Sequence, residues 1–161
     1  MALRGIILLL VGSGAGLLFN AFSTTGIPLR TPDQLSFSEQ VNWSLYVEGL
    51  RVTMTEAKRA FDLKEAVFID ARSSQDYNAG HIPGALNLPV SELEARGQAL
   101  LKGIPKDARI IAYCSGETCQ SSILLARILI EKLGYSRTHV FFDGWHAWNV
   151  AGYPFVIGDV P

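Results

Sequence analysis

Three short apolar runs constrain this chain most: "AVFID" at 66–70, "RIIAYC" at 109–114 and "HVFF" at 139–142. Runs of this length without a polar alternate read as strands buried on both faces. Helix-like segments lie between and after them. "TMTEAKRAF" (53–61) opens with Thr53 and Glu56 at capping-box spacing, and "SELEARGQALL" (91–101) offers Ser91 and Glu94 for the same arrangement. "SSILLARILIEKLG" (121–134) is stopped by Gly134, and "GWHAWNVAG" (144–152) makes a last short helix. "LRV" at 50–52 and the end of "GHIPGALNLP" (80–89) add two very short strands. The pattern predicts an α/β domain, a parallel sheet with helices on both faces. The helix after Cys114 carries Ile123, Leu124, Leu125, Ile128, Leu129, Ile130 and Leu133, so it is expected to be deeply buried.

The N-terminus reads differently. "MALRGIILLLVGSGAGLLFNAF" holds one charge, Arg4, and Gly5 to Thr25 is uncharged. Roughly 18 apolar residues approach the lower limit for spanning a bilayer. Gly12, Ser13, Gly14 and Gly16 are compatible with a membrane helix. Residues 1–25 are therefore expected to be a transmembrane anchor. "AFS" at 21–23 leaves a cleaved signal as the alternative, with a buried core helix behind both. Arg4 places the N-terminus inside and the domain on the outer, extracytoplasmic face. Residues 26–48, with two prolines and several turn formers, read as a juxtamembrane linker, and 49–161 as the folded domain.

At 161 residues the chain can bury a core without a metal or disulfide scaffold, and its two cysteines are too few for one. No Cys/His cluster has zinc-ligand spacing, and no metal or cofactor is expected. A net charge of −1 gives no basic field for nucleic acid.

Cys114 ends the second run, just before a helix. Ligands of open α/β sheets bind beyond the carboxyl ends of the strands. Ser115, Gly116, Glu117 and Thr118 are small or flexible enough to curl, so that their N–H groups form an anion cradle before the helix N-terminus. Such a site favours a thiolate over a thiol and can hold an anionic adduct. The plainer alternative is a small, inert residue closing a strand.

Three pieces, "FIDARSSQDYNAGHIPGALNLP", "IIAYCSGETCQSS" and "FFDGWHAWNVAGYP", occur in the order and at the separations of a known family. Over about Val52 to Val156 the chain resembles the rhodanese-like domains. That resemblance implies a rhodanese-like parallel sheet, an active-site cysteine at Cys114 and a six-residue loop from Cys114 to Cys119 that binds a persulfide. It also implies sulfur transfer, in which the Cys114 thiolate takes sulfane sulfur from thiosulfate, a polysulfide or a persulfide. The sulfur then passes to cyanide, an acceptor thiol or a partner protein.

The chain departs from the family pattern in two ways. Its loop has no cation and one acid, Glu117, which disfavours a dianion such as thiosulfate. A phosphatase would need one more loop residue and a closing Arg where Gln120 stands. Cys119 replaces a frequent Arg; it reads as a small inward residue at a helix start, with a resolving thiol as the alternative. The latter requires Cα atoms within ~7 Å.

Asp70 and Arg72 resemble the family's paired charges and are expected to steady the loop, with direct substrate contact the second possibility; Arg72 is also a candidate partner for Glu117. His81 is expected to fix its turn rather than act as a base. Trp145 and Trp148 match the family's "GGWxAW", with Asp143 in place of the first glycine, and are expected in the core. His139 and His146 read as surface residues. Trp43 and Tyr46 are placed against the domain or near the membrane. The leading expectation is a membrane-anchored sulfurtransferase; a non-turnover sulfur carrier and a thiol–disulfide redox protein using Cys114 and Cys119 are the alternatives.

Overall fold

The computed structural model describes residues 46–116 and 119–158. The expected anchor (1–25), the linker up to residue 45, Trp43, Glu117 and Thr118 lie outside them. Among the described residues, no helix is long and apolar enough to cross a membrane.

Five parallel strands form one sheet in the order β1-β5-β4-β2-β3. They are β1 (Arg51–Val52), β2 (Val67–Asp70), β3 (Leu86–Asn87), β4 (Ile110–Tyr113) and β5 (Thr138–Phe141). Between and after them run α1 (Met54–Asp62), α2 (Ser74–Ala79), α3 (Leu93–Leu100), α4 (Ser121–Glu131) and α5 (Gly144–Val150). Central strands alternate between two apolar layers, as the period of two requires. Ile69, Ile110, Ala112 and Val140 pack under α3 and α4, against Leu125, Ala126 and Leu129. Phe68, Ile111, Tyr113 and Phe141 face α1, α2 and α5. Trp148 is fully buried in this second layer, edge-on to Phe61, Phe141 and Tyr153, and its indole N–H donates to the Pro154 carbonyl at 2.8 Å.

Local chemistry sets the helix starts. The Thr53 hydroxyl accepts from Glu56 N–H while the Glu56 carboxylate accepts from Thr53 N–H, closing the capping box that the spacing predicts. The same expectation fails at Ser91. Pro89, at φ −56°, starts a 3₁₀ turn over Val90–Glu92, so Ser91 sits inside that turn. α3 begins only at Leu93 and has no side-chain cap. Helix α4 also corrects the sequence reading. Ser122, Leu125, Ala126 and Leu129 are buried, whereas Leu124 is 47% exposed and the Arg127–Glu131 ion pair (3.0 Å) lies on the outer side. One face on the sheet suffices; its apolar excess is left in part to solvent.

Topology places the site. From β2 the chain moves to β3 at one edge, returns to β4 on the other side of β2, then continues to β5. The order therefore reverses between β2 and β4, where the carboxyl ends of neighbouring strands open a crevice. Asp70 and Tyr113 are in register there, and Ala71 N–H donates to the Tyr113 carbonyl at 2.9 Å. Cys114 is the next residue.

Candidate active site

Because β4 alternates, Tyr113 turns to the α1/α5 layer and Cys114 to the α4 layer. Cys114 is 1% exposed. Its Sγ lies 3.3 Å from the hydroxyl of Ser122, itself buried in the first turn of α4. Cys114 is joined to Cys119 by a disulfide, with the two Cα atoms 6.3 Å apart. The Cα separation that a resolving partner requires is thus met. It is half-buried, whereas Ser115 is exposed and Gly116 half-buried. Since both sulfurs are bonded, the hydroxyl of Ser122 donates towards Cys114 Sγ.

The loop is held by its backbone. Trp145 N–H donates to the Cys114 carbonyl at 2.8 Å and His146 N–H to the Ser115 carbonyl at 3.0 Å. These donors come from the start of α5, where helix N–H groups lack partners of their own. Peptide planarity then aims the N–H groups of Ser115 and Gly116 away from α5. Cys119 N–H closes the far side on the Gly116 carbonyl at 2.9 Å. The approach is so close that only glycine fits at 144. Its φ is +63°, and a Cβ there would stand 2.5 Å from the Cys114 carbonyl oxygen. Asp143, by contrast, has ordinary helical angles, so replacing the family's first glycine costs the turn nothing in backbone strain.

Asp70 and Arg72 pair with each other. The Asp70 carboxylate is fully buried and accepts from Arg72 Nε at 3.0 Å, Nη2 at 2.6 Å and the Arg72 backbone N–H at 2.9 Å. Arg72 Nη2 also donates to the Gly80 carbonyl at 2.7 Å, and its guanidinium lies 4.9 Å from the Trp145 ring centre. Asn87 Nδ2 donates to the Arg72 carbonyl at 3.0 Å. The pair so ties the end of β2 to the next loop, to β3 and to α5. Glu117, its other candidate partner, lies outside the described residues.

Tyr113 completes this network. Its phenol oxygen accepts from Ile82 N–H at 3.2 Å. Burial, reinforced by the Asp70 charge, pushes its pKa well above the ordinary 10.0. His81 is fully buried, stacked on Tyr77, and its Nδ1–H donates to the Tyr77 carbonyl at 2.9 Å. Its backbone is paired to Val156, and its Nε2 is buried without a hydrogen-bond partner among the described residues. Trp145 is half-buried, packed against the second apolar layer and touching Gly80, Arg72 and Phe155. His146 is exposed, His139 is half-buried on the Arg137 carbonyl, and Tyr46 is 38% exposed. A groove of about 1140 Å³ between α3 and the end of α4 is lined by neither Cys114 nor any other described residue of its loop.

Ser122, Asn87 and the amide of Trp145 are the partners that the sequence reading did not single out. Ser122 was hidden because "QSS" reads as the start of a helix. Only the return of α4 over β4 brings its hydroxyl to Cys114.

A cysteine at the switch point of a parallel sheet, starting a loop tied to the next two helices, defines an α/β domain of the rhodanese type. The chain belongs to the rhodanese-like domain family, whose model matches residues 53–151. It is 34% identical over 103 residues to the HTH-type transcriptional regulator Rv0324 of Mycobacterium tuberculosis, covering 64% of this chain and 43% of that protein. The match thus spans less than half of that relative. With the uncharacterized protein YibN of Escherichia coli it shares 30% identity over 107 residues, 66% of this chain and 72% of that one. Among solved structures, the human single-domain sulfurtransferase TSTD1 superposes with a TM-score of 0.52 at 29% identity, covering 63% of this chain and 96% of that one.

Proposed function

We propose that the protein is a sulfurtransferase that carries sulfane sulfur as a persulfide on Cys114. The observation that supports this most is the position of Cys114. It sits at the switch point of a rhodanese-like sheet, with the buried Ser122 hydroxyl 3.3 Å from its sulfur. In the reduced protein that hydroxyl donates to a thiolate, and donors to an anionic sulfur are stronger than neutral ones. The thiolate attacks the outer sulfur of a donor R–S–SH and expels R–S⁻, leaving Cys114–S–SH. An acceptor thiolate or cyanide then takes the outer sulfur and frees the thiolate.

Ser115, Gly116, Glu117, Thr118 and Cys119 line the loop that receives the donor, and Asp70 with Arg72 supports it from beneath. Glu117, the one charge in that loop, favours a persulfide or polysulfide over thiosulfate. Residues 1–25 hold the domain at a membrane, on its outer face, where a partner protein can supply or accept the sulfur.

Thiocyanate formation tests the activity, with polysulfide and thiosulfate compared as donors. The reading requires turnover that Cys114→Ser abolishes, with polysulfide the better donor. Full transfer by Cys114→Ser would refute the site. Binding of one sulfur without turnover would make the protein a carrier. A second reading, thiol–disulfide exchange without sulfur, is favoured by the Cys114–Cys119 bond.

A further inference from the structure

Both cysteine sulfurs of the chain meet at one point. The chain has two cysteines, and they are bonded to each other. Backbone hydrogen bonds hold both of them as well. Cys114 is fixed by β4 and by Trp145 N–H on its carbonyl. Cys119 is fixed by its N–H on Gly116 and stands one residue before Gln120, whose carbonyl accepts from Leu124 N–H in the first turn of α4. The 6.3 Å between their Cα atoms is a separation at which two cysteine sulfurs can bond. A neighbouring thiol held this way has a large advantage over any dissolved acceptor.

We infer that Cys119 discharges the Cys114 persulfide as sulfide, which makes the site a persulfide-reducing centre driven by a dithiol. This rests on the sulfurtransferase reading above and adds a step to it. The Cys119 thiolate attacks Sγ of Cys114, the inner sulfur of Cys114–S–SH. The Sγ–SH bond breaks, its electron pair leaves with HS⁻, and the Cys114–Cys119 disulfide forms. The sulfane sulfur is reduced by two electrons and the cysteine pair is oxidised by two.

A small or protein dithiol then restores both thiols and becomes a disulfide itself. Its first thiolate meets Cys119, because Cys119 is half-buried and Cys114 is 1% exposed. Cys114 is then the leaving thiolate, received by the Ser122 hydroxyl 3.3 Å away. The net reaction is a persulfide plus a dithiol giving a thiol, hydrogen sulfide and a disulfide. Reactions that load sulfane sulfur onto thiols would stand upstream, and a dithiol-reducing system would stand beside the enzyme.

The test uses the full-length protein, reduced, freed of reductant and kept without oxygen. It is given one equivalent of glutathione persulfide and followed by intact mass and released sulfide. Wild type is expected to release about one sulfide and to end two hydrogens lighter. Cys119→Ser should keep one extra sulfur, and Cys119→Ala should repeat that result. With excess dithiothreitol, wild type should release sulfide at least tenfold faster than either variant. If wild type holds its extra sulfur as long as the variants do, the resolving step is refuted while the sulfurtransferase reading stands. Were no form of the protein to gain a sulfur, both would fall.

Discussion

The amide of Trp145 donates to the carbonyl of Cys114 at 2.8 Å, so the helix after β5 holds the cysteine that follows β4. Gly144 permits this approach, because any side chain at its φ of +63° would press on the Cys114 carbonyl. Gly144→Ala is expected to lose about 1–3 kcal/mol from backbone strain alone. It should also displace the loop. Sulfur transfer to cyanide, measured beside urea unfolding, should fall by roughly tenfold. An unchanged rate would show that α5 does not set the loop.

Asp70 matters through Arg72. Removing a buried carboxylate strands the guanidinium it pairs with, and such losses cost about 3–5 kcal/mol. Asp70→Ala should therefore unfold at much lower urea. The double replacement Asp70→Leu with Arg72→Met should recover most of that loss, because no unpaired charge is left inside. If the double variant were as unstable as the single one, the ion pair would not be the cause.

Alkaline stability reports on Tyr113. Its folded pKa is raised, while in the unfolded chain it ionises near the ordinary 10.0. The native state keeps a proton that the unfolded state gives up. Its contribution to stability is thus intact below about 10 and is lost as pH rises above that value, through the folded pKa. Tyr113→Phe should flatten this alkaline loss. At neutral pH it should cost about 1–3 kcal/mol, because the N–H of Ile82 loses its acceptor. Unfolding free energies between pH 7 and the alkaline range check both.

The Ser122 hydroxyl lies 3.3 Å from Cys114 Sγ. Ser122→Ala leaves one small void and removes the donor to Cys114 Sγ. A bond to a charged group is worth about 1.5–3 kcal/mol, so persulfide formation should slow by roughly 10- to 100-fold. Its melting should shift little by comparison. Equal persulfide formation in variant and wild type would remove Ser122 from the chemistry.

The three longer strands were legible because each lies in a continuous apolar run, and so was the cap of α1, whose donor and acceptor are three residues apart. Cys114 was legible for the same reason, as the end of such a run. What local pattern does not carry is set by contacts across the chain. Ser91 lost its capping place to the turn that Pro89 starts. The separation of Cys114 from Cys119 follows from how α4 leaves the loop, not from the five-residue spacing. Ser122 and Trp145 reach the site only because two later helices return to β4, on opposite faces of the sheet. The pairing of Arg72 with Asp70, two residues away at the same strand end, is seen only in the fold.

Cys114 as the atom that holds sulfur is the central claim. The most direct measurement is the intact mass of the reduced protein after exposure to polysulfide, with Cys114→Ser and Cys119→Ser alongside and the adduct located by alkylation and peptide mass. The account predicts one added sulfur on Cys114, stable in Cys119→Ser and absent in Cys114→Ser. An adduct of equal yield in Cys114→Ser, or oxidation to the disulfide with no sulfur ever bound in any form, would contradict it.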